Sequence, residues 1–253
     1  MTKLQYCEIL KTKINVTNMQ ETLAYINTHI DLLRGKYICV ANVHTTVMAY
    51  DNEKYRMIQN SAAMALPDGA PLSRYSRLMG FQGAQRVTGP DLMIELFQIS
   101  PQKGYRHFFY GATQQTLDAM QNALERDYPG IKIAGMYAPP FRPLTAKEDA
   151  EIVQRINDAA PDFVWVGLGA PKQEEWMYAH REKLCAVSLG VGAGFDYLAG
   201  NIKRAPRIMQ KLCLEWLYRL LQDPRRLWRR YVTTNARFLW YLIRGRTIKK
   251  NDR

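Results

Sequence analysis

The feature that most constrains this chain is a regular alternation of two kinds of segment. Short apolar runs closing on small or polar residues are separated by stretches with helical periodicity. The runs are 37–43 (YICVANV), 65–69 (ALPDG), 106–112 (RHFFYGA), 131–137, 163–169 (FVWVGLG) and 186–192 (AVSLGVG). Between them, 114–128 carries Leu117, Met120, Ala123 and Leu124 on one helical face. Likewise 146–159 carries Ala150, Ile152, Val153 and Ile156. Apolar strands alternating with amphipathic helices predict an α/β fold with a mostly parallel sheet flanked by helices. Ligands of such sheets bind at the carboxyl ends of the strands. Asn42, Asp68, Gly111, the segment 169–173 and Asp196 all fall at such ends, so residues scattered in sequence are expected to converge in space.

Residues after about Asn201 read differently. Ile208, Leu212 and Trp216 form one stripe of a helical segment at 207–221, with Met209, Leu217 and Leu220 beside it. Pro224 interrupts, and a second helix is expected over about 225–243. There Leu227, Tyr231, Phe238 and Leu242 lie on one side, and Arg225, Arg226, Arg229, Arg230 and Arg237 lie mostly elsewhere. Aromatic and aliphatic residues interleaved with arginine suit a helix lying at a bilayer interface. The formal net charge of +12 sits in this region: residues 203–253 hold fifteen Lys/Arg and three Asp/Glu, and the other residues balance. Such asymmetry points to an anionic partner: nucleic acid, a phosphorylated substrate or an acidic membrane. The division expected is 1–202, an α/β catalytic domain, and 203–253, a basic helical appendage.

Other features narrow the class. A hydrophobic content of 47% supports a full core and argues against disorder. Cys7, Cys39, Cys185 and Cys213 form no CxxC pair and read as reduced, mostly buried thiols. The four histidines lack metal-ligand spacing. No basic head followed by an apolar run opens the sequence, so no cleaved signal peptide is expected. The apolar stretch 238–243 is far short of the ~20 residues that span a bilayer.

Three segments can carry chemistry. Asp68 in the Pro67-Asp68-Gly69 turn could serve as a general base, although spacing alone reads more simply as an ordinary Asp-Gly turn. The segment GLGAPKQEEW (167–176) runs from a strand through glycines into a helix. It suits close approach to a phosphate as well as it suits a tight turn with solvated charges. GVGAGFD (190–196) lacks the G-x-G-x-x-G spacing of a dinucleotide fingerprint, which argues against NAD(P). The chain contains no Asp-x-Asp pair. Positive side chains would then have to stabilise a diphosphate leaving group, a task that suits arginine.

Taken together, VANVHTTVMA, PDGAPL, QRVTGPDLM, FFYGAT, GLGAPKQEEW, GVGAGFDYLAGNIKRAP and LEWLYRLLQDPRRLWRRY resemble the WecG/TagA/CpsF family, glycosyltransferase family 26. They run in family order from about residue 10 to 245. Departures are Val40, where some members carry threonine, and Ala193, where glycine is common. The resemblance implies a Rossmann-like bacterial enzyme that is peripheral to the cytoplasmic face of the cell membrane. It implies inverting, metal-independent transfer, with no cofactor, from a UDP-sugar (N-acetylmannosamine, glucose or a similar hexose) to an undecaprenyl-diphosphate-linked sugar. Its catalytic aspartate falls on Asp68. Asn42, Arg86 and Gln173 match further site residues, and Arg219, Arg226 and Arg229 match appendage arginines. With Thr45, Gly111, Gly169, Lys172 and Asp196, these form the expected substrate-binding set. The expected partners are the UDP-sugar, the lipid-diphosphate-linked acceptor and an anionic membrane surface rather than nucleic acid, with homo-oligomerisation left open. A basic nucleic-acid-binding protein and an NAD(P)-dependent Rossmann enzyme are the alternatives. The first leaves PDG and GLGAPKQEEW unexplained.

Overall fold

The computed structural model describes residues 4–206, 208–209 and 214–249, with only the backbone of 226, 230 and 246–249. The chain opens with an antiparallel hairpin, β1 (Tyr6–Ile9) and β2 (Thr12–Asn15). Its turn rests on Leu10 and Lys11, both at positive φ. A two-residue hairpin turn of this hand matches the twist of its strands. Nothing in Leu-Lys announces it, and no expectation from the sequence covers this hairpin.

A strand falls on each of the six apolar runs, with β4 starting one residue before its run: β3 (Tyr37–Ala41), β4 (Met64–Pro67), β5 (Arg106–Gly111), β6 (Lys132–Tyr137), β7 (Phe163–Gly167) and β8 (Val187–Gly190). They form one parallel sheet in the order β4-β3-β8-β7-β5-β6. Most strands stop short of the apolar runs that contain them. The run 37–43 ends as a strand at Ala41 because Asn42 caps the next helix, and Val43 is already helical. β3, β4 and β8 are buried at every residue, as strands covered on both faces must be.

The helices before the C-terminal region are α1 (Met19–Thr28), α2 (Ile30–Leu33), α3 (Val43–Asp51), α4 (Glu53–Asn60), α5 (Ala70–Leu78), α6 (Gly89–Lys103), α7 (Gln114–Asp127), α8 (Ala146–Asp158), α9 (Lys172–His180) and α10 (Gly194–Leu198). Crossovers moving toward β4 and those moving toward β6 place their helices on opposite faces, as right-handed connections require. One core therefore joins α6, α7 and α10 to Ile38, Phe109, Trp165 and Leu189. The other joins α3, α8, α9 and the hairpin to Cys39, Phe108, Val164 and Val166. Cys7 and Cys39 are buried free thiols, whereas Cys185 is exposed. Cys213 lies outside the described residues.

Two helices end the described chain: α11 (Glu215–Gln222) and α12 (Pro224–Lys249). The break expected at Pro224 is there, but the first of the two expected helices is described only in part. α12 packs on α3. Leu227 and Phe238 are buried, the Tyr241 hydroxyl donates to Asp51 Oδ1 (2.7 Å), and Arg237 pairs with Asp51 (2.7 Å). The Tyr50 and Tyr241 rings lie 4.4 Å apart. An exposed ion pair contributes little. Burying a side chain such as Phe238 is worth roughly 1.5–3 kcal/mol, so apolar contact dominates this docking. The stripe that sequence periodicity suggested for a bilayer thus faces the protein at Leu227 and Phe238. The apolar residues left outward are Trp228, Val232, Leu239, Trp240 and Ile243.

Candidate active site

The carboxyl ends of β4, β3 and β8 lie side by side in the half of the sheet that β4 edges. Asn42, leaving β3, caps α3: its side chain accepts from Thr45 N (3.2 Å), and its own N–H donates to Thr45 Oγ1 (2.9 Å). This reciprocal box satisfies two otherwise orphaned donors and fixes the start of the helix. Thr45 is buried, with its hydroxyl taken up by the cap, so it holds Asn42 in place.

Asp68 leaves β4 beside it. Its N–H donates to Ala41 O (2.8 Å) and Leu66 O (3.0 Å), which seats the PDG turn against β3. Arg86 reaches the turn from the segment before α6. Its Nε donates to the backbone oxygen of Asp68 (2.7 Å), and its Nη2 pairs with Glu215 of α11. Asp91 accepts from Thr88 Oγ1 (2.6 Å) and pairs with Arg204 (2.7 Å). The Arg219 guanidinium lies 5.7 Å from the Tyr197 ring centre, with Arg204 5.9 Å from the same ring. Burial pushes the Asp68 carboxyl up to about 6, and Glu215 and Asp91 add to the rise. Arg86 and Arg219 oppose it. A buried carboxyl whose pKa is raised to about 6, with two guanidinium groups in electrostatic reach, is suited to take a proton near neutral pH.

On the other side, Gln173 is buried beneath the end of β8. Its Nε2 donates to Glu174 Oε1 (2.7 Å), and its Oε1 has no hydrogen-bond partner among the described residues. Gly190 makes room for it: a Cβ there would lie 3.0 Å from Gln173 Nε2. Glu174 is fully buried, and burial pushes its carboxyl up to about 7. Gly111 adopts φ 130°, and a Cβ on it would come within 2.7 Å of the Gly167 carbonyl carbon, so only glycine lets β5 and β7 close together there. Gly169 accepts from Gln173 N (3.0 Å) and Lys172 is exposed at the start of α9. Asp196 Oδ1 accepts from Asn201 Nδ2 (3.2 Å).

The fold therefore brings Asn42, Asp68, Arg86 and Arg219 into one cluster, with Gln173 beneath the neighbouring strand end. Arg229 is instead exposed, 5.6 Å from its neighbour Trp228's ring centre. The side chain of Arg226 lies outside the described residues. Four members of the cluster were absent from the expected site set: Asp91, Tyr197, Arg204 and Glu215. Each lies inside one of the segments carrying the family resemblance, yet spacing could not reveal their pairings, since Glu215 is 129 residues from Arg86. Beside the cluster, Asn201, Ile202, Arg219, Gln222, Asp223 and Leu227 line a cavity of about 370 Å³.

The family model described as "Glycosyl transferase WecG/TagA/CpsF family" matches residues 7–252. The chain belongs to this glycosyltransferase family. Among its relatives, an N-acetylglucosaminyldiphosphoundecaprenol N-acetyl-beta-D-mannosaminyltransferase of Bacillus spizizenii is 37% identical, over 81% of this chain and 78% of the relative. Proteins of the same description from Bacillus subtilis (35% identical, 86% and 83% covered) and Staphylococcus aureus (32%, 88% and 87%) are also similar. As a WecG/TagA/CpsF enzyme the chain is a glycosyltransferase, and its Rossmann-like sheet presents the cluster at the edge where ligands of such sheets bind. No helix among the described residues is long and apolar enough to cross a membrane.

Proposed function

We propose that the enzyme transfers a hexose from a UDP-sugar to an undecaprenyl-diphosphate-linked sugar, with inversion and without a metal ion. The observation that carries this reading is the place of Asp68 at the end of β4, with the Arg86 guanidinium bonded to its backbone oxygen and Arg219 within electrostatic reach of its carboxyl. Asp68 takes the proton of the acceptor hydroxyl as that oxygen attacks the anomeric carbon. Attack from the face opposite UDP inverts the configuration, and UDP leaves with charge growing on its β-phosphate. Arg86 and Arg219 supply positive charge beside Asp68, where a preorganised cation stabilises that charge without reorganisation. Arg226 and Arg229 would add to it as the donor binds. Asn42, Gln173, Lys172, Asp196 and the turns at Gly111 and Gly169 line the donor side.

The relatives' names describe acceptors in which N-acetylglucosamine is joined to undecaprenol through a diphosphate, and donors of N-acetylmannosamine. The same acceptor class and a related donor are proposed for this chain. Residues 203–253 act as an appendage that completes the site and meets the membrane. The outward Trp228, Val232, Leu239, Trp240 and Ile243 of α12, set among Arg225 and Arg244, suit the interface of an anionic bilayer. Peripheral attachment at the cytoplasmic face follows from this reading.

The test is UDP release across a panel of UDP-sugars with a lipid-diphosphate-sugar acceptor, comparing the wild type with Asp68→Asn. The variant is expected to bind UDP and to lose ~10²–10⁴-fold in kcat. Near-normal turnover would remove Asp68 as the base.

A further inference from the structure

We infer that Glu215 is a positioning residue: it docks α11 onto Arg86 and thereby holds the appendage closed over Asp68. The inference deepens the reading above and rests on it for the role of Asp68. Three observations carry it. First, Arg86 makes a two-ended bridge, with Nε on the Asp68 backbone oxygen and Nη2 on Glu215. The same guanidinium is thus fixed at once to the catalytic turn and to the appendage. A planar guanidinium with donors on two edges suits such a bridge, whereas lysine would present a point charge. Second, the Arg86–Glu215 pair is four-fifths buried at both side chains, so it is shielded from the screening that makes surface pairs weak. Third, Glu215 opens α11 and ties the first turn of that helix to Arg86. The helix carries no side-chain N-cap, and its other end is clamped elsewhere, by Gln222 exchanging two hydrogen bonds with the Lys203 backbone (3.1 Å each). Arg219 lies one turn along the same helix, so whatever seats Glu215 also seats Arg219 beside Asp68 and Tyr197.

The local charge count explains why a carboxylate is needed at this point. Arg86 and Asp91 reach Asp68 from the segment leading into α6 and from α6 itself, Tyr197 from α10, and Glu215 and Arg219 from α11, while Arg204, after α10, pairs with Asp91 and acts on Glu215. The cluster thus holds three guanidinium groups, Arg86, Arg204 and Arg219, against three carboxyl groups, Asp68, Asp91 and Glu215. Without Glu215 the positive excess would hold Asp68 more firmly ionised, and a carboxylate stabilised in that way is a weaker base. Glu215 therefore has two effects through one contact: it seats the helix bearing Arg219, and it keeps the arginines from over-stabilising the Asp68 carboxylate.

The experiment compares wild type, Glu215→Gln and Glu215→Ala in the full chain by hydrogen exchange and by the pH profile of kcat/KM. Gln keeps an acceptor for Arg86 and loses the charge, whereas Ala loses both. In Glu215→Ala, amides of 217–222 are expected to exchange at least 10-fold faster while β3 and β8 keep wild-type protection, which shows that the fold is intact. Glu215→Gln should fall between. In Glu215→Gln the acid limb of kcat/KM should move to lower pH by roughly one unit, as expected when a like charge near a carboxylate is removed, and in Glu215→Ala by less, because the loosened Arg219 no longer lowers the Asp68 carboxyl. A side chain that only fills space would lower activity at every pH and leave the limb in place. Wild-type exchange at 217–222 together with an unmoved limb overturns the inference. The exchange measurement needs no turnover, so it stands or fails apart from the base assignment, which Asp68→Asn tests.

Discussion

Replacing Glu174 by Gln should stabilise the protein in a pH-dependent way, by an amount set by the burial of its carboxyl. Glu174 is fully buried on α9, within electrostatic reach of Cys39 and Tyr55. Burial raises the carboxyl from its ordinary 4.5 to about 7, and the amide of Gln173, donating to Oε1 at 2.7 Å, offsets only part of that rise. The second oxygen, Oε2, meets no hydrogen-bond donor in good geometry among the described residues. A raised carboxyl pKa means that the folded state prefers the protonated form. Stability from this group is complete below about pH 4.5, declines as pH rises, and levels off above about 7. Each unit of difference is worth ~1.4 kcal/mol, so the ionised carboxyl costs about 3 kcal/mol above neutrality. Gln reproduces the protonated shape and still accepts from Gln173. Urea unfolding of the wild type and Glu174→Gln should therefore coincide at pH 4.5 and diverge by up to about 3 kcal/mol at pH 8, with the variant more stable. At this size that gap corresponds to a Tm difference of roughly 6–12 °C. Parallel curves from pH 4.5 to 8, or a variant less stable at pH 8, would refute the burial argument. A further consequence concerns the site: if Glu174 holds Gln173 by its Oε1 alone, UDP affinity at neutral pH should be nearly unchanged.

Other outcomes follow from the same geometry. The acid limb of kcat/KM for the wild type should fall near pH 6, with activity rising as Asp68 ionises; a limb near pH 4 would mean that burial does not govern it. Turnover should persist in excess EDTA, and loss of activity restored by Mn²⁺ or Mg²⁺ would overturn the arginine-based account of the leaving group. Arg219→Ala should lower kcat ~10²-fold or more on a short water-soluble acceptor while leaving vesicle binding intact, and full turnover there would reduce the appendage to an anchor. The double change Trp228→Ser and Trp240→Ser, on the outward face of α12, should release the protein from anionic vesicles without changing turnover on the soluble acceptor. Retained vesicle binding would assign attachment to some other surface.

Much of the fold could be read along the chain because it depends on local pattern. A strand buried on both faces must be apolar at nearly every residue, so 37–41, 163–167 and 187–190 declare themselves wherever they sit in the sheet. Their polar ends mark the ligand edge for the same reason. The positions of Asn42, Asp68 and Gln173 relative to strands are thus properties of the sequence, as is the break at Pro224. Three things were settled only by tertiary contact. The β1–β2 hairpin turns on Leu10 and Lys11, whose positive φ values no local preference predicts; packing of Cys7, Ile9 and Ile14 on the sheet imposes them. The apolar stripe of α12 has the same periodicity whether it meets lipid or protein. Only its place beside α3 decides that Leu227 and Phe238 face inward and that Trp228, Leu239 and Trp240 face out. The character of Asp68 belongs to no segment, because desolvation and charge act through space. Arg86, Asp91, Glu215 and Arg219 reach it from distant parts of the chain, and their balance turns an ordinary Asp-Gly turn into a carboxyl poised near 6.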